Sequence, residues 1–241
     1  MFVSDANGNL SQRKEARYFY DALDRLTAVE TKEGRVEYGY DPYHRRISRK
    51  EGAEVVYYLY QGQEEIGSVT EEGLQELKIL RSLTSNTPVG IELKGEMFFP
   101  ILDVAGNIAG LVDQAGKLRF GARYTAFGEE IPFQETELFL PWRYAAKRVD
   151  PLTGLIAFGR RDLDPALGRW ITPDPELFEN GPNRYTYAKG NPFLFFDRFG
   201  LLAETWTAPN YWDFESFHVK ETDRYEIAWN QHTPDEAMFA R

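Results

Sequence analysis

The chain carries a pair of tyrosines, separated by one residue, that recurs every 20 residues. The three pairs are Tyr18 with Tyr20, Tyr38 with Tyr40, and Tyr58 with Tyr60. Side chains alternate between the two faces of a β-strand, so both rings of a pair lie on one face. A single hairpin cannot bury such an aromatic face, whereas hairpins stacked side by side bury a continuous stripe. The repeat therefore predicts stacked antiparallel hairpins, with the pairs at equivalent places on adjacent strands.

Turn-forming residues follow the tyrosine pairs. Asp21 and Asp41 come directly after the first two pairs, and an arginine follows each of them four residues later. Aspartate and glycine favour turns, because the carboxylate binds backbone N–H groups and glycine tolerates a positive φ. Similar turns are expected at Asp5–Asn9 and Asp103–Asn107, and Gly34 is expected to supply a positive φ at a hairpin tip.

The composition favours strands over helices. Aromatic residues make up 15% of the 241 residues, and the chain contains 20 glycines and 13 prolines. Rings pack well on a pleated surface, while glycine and proline end short elements. We therefore expect a mainly β fold with less than about one fifth helix. The helices that we expect are short, namely part of Glu72–Leu83 and a turn near Asp235–Arg241.

Residue usage and charge argue against several classes of protein. The chain has no cysteine and three histidines, which disfavours disulfides and metal sites and predicts no metal and no cofactor. The formal net charge is −10, which opposes binding to a nucleic-acid backbone. No apolar run approaches the ~18–20 residues that span a bilayer. The first residues also lack the basic and apolar segments of a secretory signal.

The second half of the chain is rich in turn signals of one kind. A proline pushes the preceding residue out of the helical region, so a polar residue before proline favours the start of a turn. An aspartate there can cap its own turn by accepting backbone N–H groups. Each aspartate of this set is therefore open to a purely structural interpretation. The signals are Asp150-Pro151, Asp164-Pro165, Asp174-Pro175 and Asn191-Pro192.

Two aspartates of this half can also be interpreted as a reactive pair. Asp174 and Asp197 are 23 residues apart, which is enough for a strand, a turn, a second strand and a return. In a hairpin-rich fold both can then lie at the same sheet end. Two carboxylates near contact do not both ionise readily, so one can act as an acid while the other activates water. Arg161 is a candidate to stabilise the ionised partner or a developing oxyanion.

The repeat and the segments after it resemble the RHS family. Its YD repeats have the pattern Tyr-x-Tyr-Asp-x-x-x-Arg, as in residues 38–45. The family includes polymorphic toxins, the C components of Tc toxins, and teneurins. The resemblance covers about residues 1–201, and the RHS-associated core is matched in order and spacing by Tyr144–Leu155, Gly159–Pro175, Asn183–Tyr187 and Asp197–Leu201.

This resemblance implies a fold and a domain organisation. YD repeats build β-shells, so stacked antiparallel hairpins are expected to form the C-terminal part of such a shell, or cocoon. Residues 1–140 would be YD-repeat hairpins, 141–201 the core, and 202–241 a variable tail, the stub of an effector. The expected partners are the rest of the shell, the chain's own effector region, and secretion machinery or an immunity protein. The expected location is the bacterial cytoplasm before export by a route without a signal peptide.

The resemblance also implies a self-cleavage site. RHS toxins release their C-terminal region with an aspartyl-protease-like site, and Asp174 and Asp197 match its two aspartates in position and spacing. Arg161 matches an arginine of the core, with Asp162 beside it as a further carboxylate. By the same resemblance, the scissile bond joins Leu201 to Leu202.

Two departures from the family pattern bear on that site. Asp174-Pro175 continues as Glu-Leu-Phe-Glu, where the family has a glycine-containing pattern. Arg198 stands where the family has proline, which removes the fixed φ that proline would impose before the scissile bond.

Two alternative functions are left open by the sequence. One is a non-enzymatic YD-repeat module for binding or adhesion, whose exposed tyrosines contact glycans or a partner. The other is a small effector within residues 202–241, where His218 and His232 lie 14 residues apart. Forty residues are near the lower limit for an independent fold without disulfides or metal, which favours a stub over a complete enzyme.

Overall fold

We analysed a computed structural model of the chain, which describes residues 2–81, 87–133, 138–176, 181–201 and 203–205. The chain divides into two compact units, Met1–Glu204 and Thr205–Arg241. The first unit holds all but the last residue of the described structure. The expected turn near Asp235–Arg241 and the effector expected in residues 202–241 lie outside the described residues, except for 203–205.

A single sheet of fourteen strands dominates the first unit. Its spatial order is the order of the strands in the chain, and consecutive strands pair antiparallel. The strands are β1 Phe2–Ser4, β2 Leu10–Arg13, β3 Ala16–Tyr20, β4 Leu26–Glu30, β5 Arg35–Tyr40, β6 Arg46–Glu51, β7 Glu54–Gln61, β8 Glu64–Thr70, β9 Gly73–Leu80, β10 Pro88–Leu93, β11 Glu96–Leu102, β12 Ile108–Asp113, β13 Leu118–Tyr124 and β14 Glu130–Pro132.

Shorter elements follow the large sheet. A four-stranded sheet contains β15 Arg148–Val149, β16 Ile156–Ala157, β17 Asp162–Asp164 and β18 Arg169–Trp170, and β19 Phe195–Asp197 pairs with β20 Ala203–Thr205. The only helical elements among the described residues are two 3₁₀ helices, Tyr144–Ala146 and Tyr187–Gly190. No helix in this part of the chain is long and apolar enough to cross a membrane. The mainly β fold with consecutive antiparallel hairpins is confirmed.

An aspartate caps the turn after each YD motif. Asp21 Oδ1 accepts the backbone N–H groups of Leu23 and Arg25, at 2.9 and 3.1 Å, while its Oδ2 accepts Nε of Arg25 at 2.7 Å. The third residue after the aspartate has a left-handed backbone, as at Asp24 with φ 58°. The same Oδ1 contacts recur at Asp5, Asp41, Asp103 and Asp113.

The arginine of each motif links one turn to the next hairpin. Arg25 donates to the backbone carbonyl of Asp41 at 3.2 Å and lies 4.9 Å above the ring of Tyr40. Arg45 repeats this one unit later, with the carbonyl of Gly62 at 2.9 Å and the ring of Tyr60 at 5.1 Å. The repeated arginine therefore holds successive hairpins at a constant offset.

Two details of the predicted hairpins are wrong. The tyrosine pairs do occupy equivalent places, but on alternate strands β3, β5 and β7. One strand separates them, so the rings lie about 9–10 Å apart in the sheet direction and do not stack on one another. At the tip between β4 and β5, the φ of Gly34 is not positive, contrary to the expectation. The hydroxyl of Thr31 instead accepts the backbone N–H groups of Glu33 and Gly34 at 3.1 and 3.3 Å.

The prediction of a helix within Glu72–Leu83 is also wrong, because residues 73–80 form strand β9. This strand pairs with β8 on one side and β10 on the other. A helix of this length is marginal in isolation, since its first turn must be nucleated at a cost. A continuous ladder of backbone hydrogen bonds was available on both sides, and it outweighed the helical propensity of Leu, Glu and Lys.

The core forms where the segment after residue 138 packs on one face of the large sheet. In one apolar cluster Leu140 and Trp142 contact sheet residues such as Ile91 and Phe120. In a second cluster Leu155 and Ile171 pack with tyrosines and valines of β3 to β5. A third cluster, which includes Phe158, Trp170 and Tyr187, lies within the segment itself. The segment therefore completes the core that the hairpins begin.

Buried ion pairs accompany this packing. Arg46 of β6 binds Asp162 at 2.7 Å, Arg49 binds Asp150 at 2.8 Å, and Glu64 of β8 binds Lys147 at 2.8 Å. Buried pairs of this kind add little net stability, but breaking one leaves a charge without compensation. They therefore fix where the segment sits on the sheet.

We expect Tyr38→Ala to lower the free energy of unfolding by about 3–5 kcal/mol, the usual cost of truncating a buried aromatic residue. Tyr38 is buried and donates its hydroxyl to Asp150 at 2.9 Å. The control is Tyr57→Ala, since Tyr57 is 52% exposed on the same sheet and its loss should cost less than about 1 kcal/mol. Urea denaturation of both variants tests this, and equal midpoints would contradict the assignment of the buried face.

Asp150 should make stability depend on pH. Burial raises its pKa, but the charge of Arg49 and several hydrogen bonds outweigh burial, so the net pKa is lowered. The stabilisation is present above the unfolded pKa of about 3.9 and is lost as the pH falls through the folded pKa. Asp150→Asn should therefore cost on the order of 3 kcal/mol at pH 7 and progressively less toward pH 3. Urea midpoints across this pH range measure the difference in stability between the wild type and Asp150→Asn, with Glu54→Gln at an exposed position as the control. A difference that does not change with pH would refute the expectation.

Candidate functional site

Two buried aspartates share one buried guanidinium. Arg161 is 3% exposed, Asp174 is 2% exposed and Asp197 is 3% exposed. Nη1 of Arg161 lies 3.0 Å from Oδ2 of Asp174, and its Nη2 lies 3.2 Å from Oδ2 of Asp197. The guanidinium also stacks 4.4 Å from the ring centre of Trp170. The structure thus brings three of the four predicted site residues into one cluster.

Local turns place the two carboxylates. Asp174 follows β18, and its Oδ1 accepts the backbone N–H of Glu176 at 2.9 Å. Its backbone N–H donates to the carbonyl of Arg184 at 2.9 Å, and Arg184 in turn donates to the carbonyl of Asp174. The chain does return toward Asp174, but among the described residues no strand lies between 174 and 194, so the second strand expected in this excursion is wrong. Asp197 is the last residue of β19, at the opposite end of that excursion.

The loop after Asp197 is a version of the capped turn of the YD repeats. Oδ1 of Asp197 accepts the backbone N–H groups of Phe199, Gly200 and Leu201 at 3.2, 2.7 and 3.0 Å. Gly200 occupies the left-handed third position, with φ 72°. In four repeat turns the fourth residue is an arginine or asparagine that binds Oδ2. Leu201 cannot do so, and Oδ2 of Asp197 binds Arg161 instead.

Arg161 also binds the backbone at the expected scissile bond. Its Nε donates to the carbonyl of Gly200 at 2.6 Å, and its Nη2 lies 3.3 Å from the carbonyl oxygen of Leu201. The approach requires glycine, because a Cβ at Gly200 would lie 2.9 Å from the backbone nitrogen of Arg161. Leu202, on the far side of the bond, lies outside the described residues. We refer to Asp197–Leu201 as the cleavage loop.

Burial governs the electrostatics of the cluster. Burial raises the pKa of Asp197, although Arg161 and the three backbone N–H groups oppose it. Burial lowers the pKa of Arg161, opposed by both carboxylates. With both aspartates ionised the three groups carry one net negative charge, and one bound proton makes the cluster neutral. Such a coupled group can hold and exchange a proton.

Asp162 does not join the cluster. Arg161 lies just before β17 and binds Asp174 and Asp197. Asp162 is the first residue of β17 and binds Arg46 of the large sheet at 2.7 Å. Burial raises the pKa of Asp162. Its position fits the anchoring of the segment on the sheet.

Sequence reasoning missed the residues that hold the cleavage loop. The backbone N–H of Arg160 donates to the carbonyl of Phe199 at 3.0 Å, and the ring of Phe199 lies 5.5 Å from Nζ of Lys147. Arg198, which replaces the family's proline, lies 5.2 Å from the same ring. The glycine three residues after Asp197 was a signal, since it repeats the pattern of the earlier turns.

A cavity of about 140 Å³ opens beside the cleavage loop. Leu201 and Phe199 line one side, and Tyr43, His44 and Arg160 are among the residues that line the rest. A cavity of this size has room for several water molecules. Water can therefore lie beside Leu201.

A family profile and two curated proteins each match most of this chain. A sequence profile of the Teneurin YD-shell family matches residues 2–197. The tRNA3(Ser)-specific nuclease WapA of Bacillus spizizenii is 28% identical over 203 residues, covering 79% of this chain and 9% of that protein. Double-stranded DNA deaminase toxin A of Burkholderia cenocepacia is 26% identical over 243 residues, covering 84% of this chain and 17% of that protein.

A solved structure matches in fold. The crystal structure of TcdB2-TccC3-TEV superposes with a TM-score of 0.67 and 21% identity, over 82% of this chain and 11% of that one. The chain spans a minor part of each protein that it matches.

We expect Arg161→Met to lower the free energy of unfolding at pH 7 by about 3–5 kcal/mol, because two buried carboxylates lose their shared cation. The deficit should shrink toward pH 4, because burial favours the protonated form of Asp197 and a bound proton replaces the lost charge of Arg161. The control is Arg143→Met, since Arg143 binds Glu130 in a more exposed pair. Urea midpoints at both pH values measure this, and a deficit in Arg161→Met that does not change with pH would contradict the shared-cation geometry.

Proposed function

This chain belongs to the Teneurin YD-shell family, and we propose that it forms the C-terminal wall of a toxin shell and cuts itself after Leu201. The observation that carries the second part is Arg161, which binds two buried aspartates and the carbonyl of Leu201. The cut would release residues 202–241 and whatever follows them in a longer polypeptide.

The chemistry needs only groups of this chain and water. A water molecule from the cavity attacks the carbonyl carbon of Leu201 while the carboxylate of Asp174 accepts one of its protons. Nη2 of Arg161 stabilises the negative charge that develops on the carbonyl oxygen. The bond to Leu202 then breaks, and the leaving amine takes the proton that burial favours on Asp197. The proton has moved from Asp197 to Asp174, and no metal takes part.

The shell role follows from the large sheet and its edges. Strand β1 pairs only with β2, and β14 only with β13, within the described residues. A sheet edge with free backbone groups can pair with a further strand. The rest of the shell would supply those strands, and the enclosed partner would be the chain's own C-terminal effector. Two relatives carry a nuclease and a deaminase toxin name, which supports a toxin context.

Self-cleavage predicts a specific pair of fragments. The purified chain should convert to fragments 1–201 and 202–241, visible on a gel and identified by intact mass. Asp174→Asn and Asp197→Asn should stay whole while remaining folded, because asparagine can still cap each turn. Asp103→Asn is the matched control, since Asp103 caps a repeat turn through Ala105 and Asn107 and its loss should leave the cut unchanged.

The pH dependence tests the role of Asp197. Burial raises the pKa of Asp197, so its proton persists to a higher pH than on an exposed carboxyl, and the rate should fall as the pH rises through that pKa. Chelator should leave the rate unchanged. A folded wild-type chain that stays intact from mildly acidic to neutral pH would overturn self-cleavage and leave only the shell role.

A further inference from the structure

A buried lysine lies between the large sheet and the cleavage loop. Lys147 is 7% exposed, and its Nζ donates to Oε2 of Glu64 at 2.8 Å. The other carboxylate oxygen of Glu64 accepts Nζ of Lys78 at 2.8 Å. Glu64 belongs to β8 and Lys78 to β9, so one carboxylate of the sheet holds two lysines.

The two lysines differ in what else they contact. Lys147 lies 5.5 Å from the ring centre of Phe199, in the middle of the cleavage loop. Lys78 donates to the carbonyl of Ala146 at 3.2 Å and lies 5.5 Å from the ring of Trp142. Lys147 therefore touches the loop directly, while Lys78 binds the start of the segment.

Phe199 supplies two of the backbone contacts that anchor the loop. Its backbone N–H donates to Asp197, and its carbonyl accepts the backbone N–H of Arg160. A cation over an aromatic face attracts the ring most strongly when both are removed from water. Displacing the Phe199 ring would move both backbone contacts and with them the carbonyl of Leu201.

Stability alone does not account for this arrangement. Burying two ammonium groups against one carboxylate leaves a net positive charge, and replacing buried ion pairs by apolar groups is often neutral or stabilising. Burial lowers the pKa of Lys147, which reflects the same penalty. A role in placing the loop explains why the positive charge of Lys147 is kept beside the ring of Phe199.

We propose that Lys147 is a positioning residue for self-cleavage. Through Phe199 it holds the cleavage loop so that the carbonyl of Leu201 meets Arg161. Through Glu64 it ties that loop to strands β8 and β9 of the large sheet. The proposal rests on the proposed self-cleavage, but its effect on the loop can be measured separately.

Amide hydrogen exchange measures the loop without any cleavage. In an Asp174→Asn background, which keeps the chain whole, Lys147→Met should speed exchange at Phe199, Gly200 and Leu201 by at least about tenfold. Lys78→Met is the matched control, because it removes the other lysine from the same Glu64. It should change exchange at these three amides by less than about twofold.

The second measurement is the rate of cleavage in chains that keep the wild-type Asp174. Lys147→Met should slow the cut by about tenfold, Lys78→Met should leave it near the wild-type rate, and Lys147→Arg should restore it. Lys147→Met combined with Phe199→Leu should be no slower than the slower single variant, because both act through one contact. A merely structural role predicts equal effects of the two methionine variants.

The outcomes separate the two proposals. Equal exchange at the loop amides in Lys147→Met and Lys78→Met overturns the positioning role, whatever the cleavage result. If the wild-type chain never cuts but the loop amides respond only to Lys147→Met, self-cleavage fails while the hold of Lys147 on the loop is supported. Failure of Lys147→Arg to restore the rate, with normal exchange, also counts against positioning.

Discussion

The aspartate-capped turn is the interaction on which the rest of the structure depends. One carboxylate oxygen satisfies two backbone N–H groups that would otherwise lack partners, and the other holds the side chain four residues later. Because that side chain reaches the next hairpin, the turn fixes both the end of one strand and the offset of its neighbour. The buried tyrosine face, and the surface on which residues 140–171 pack, exist only once these offsets are set.

The cleavage loop shows how little must change for such a turn to acquire another use. At Asp197 both backbone contacts of the cap are kept, a third is added by Gly200, and the fourth residue is leucine. The oxygen that a repeat turn gives to its own arginine now binds Arg161, which arrives from a different element. A structural cap and a member of a proton-holding cluster are therefore the same carboxyl group, with one oxygen for each role.

Sequence patterns predicted the parts that depend on local spacing. The 20-residue period identified the hairpins, and the excursion between Asp174 and Asp197 indicated that they meet. Contacts that form when the later segment packs on the sheet could not be predicted from the sequence. Glu64 and Lys147 are 83 residues apart, and no sequence pattern pairs one with the other. For the same reason the sequence predicts a helix within Glu72–Leu83, since only pairing with the neighbouring strands makes β9 a strand. The separation of Asp162 from the cluster was beyond sequence reasoning for the same reason, since its partner Arg46 lies 116 residues earlier.

The order of the large sheet has a consequence in time. Each strand pairs with its neighbours in the chain, so hairpins can form in sequence as the polypeptide emerges during synthesis. Ion pairs that seat the later segment, such as Glu64–Lys147 and Arg13–Asp164, join residues that are 83 and 151 positions apart. These pairs can form only after the strands of the large sheet have been synthesised. Arg161, Asp174 and Asp197 all lie in that later segment, so their cluster can be completed only after residue 197 has been synthesised.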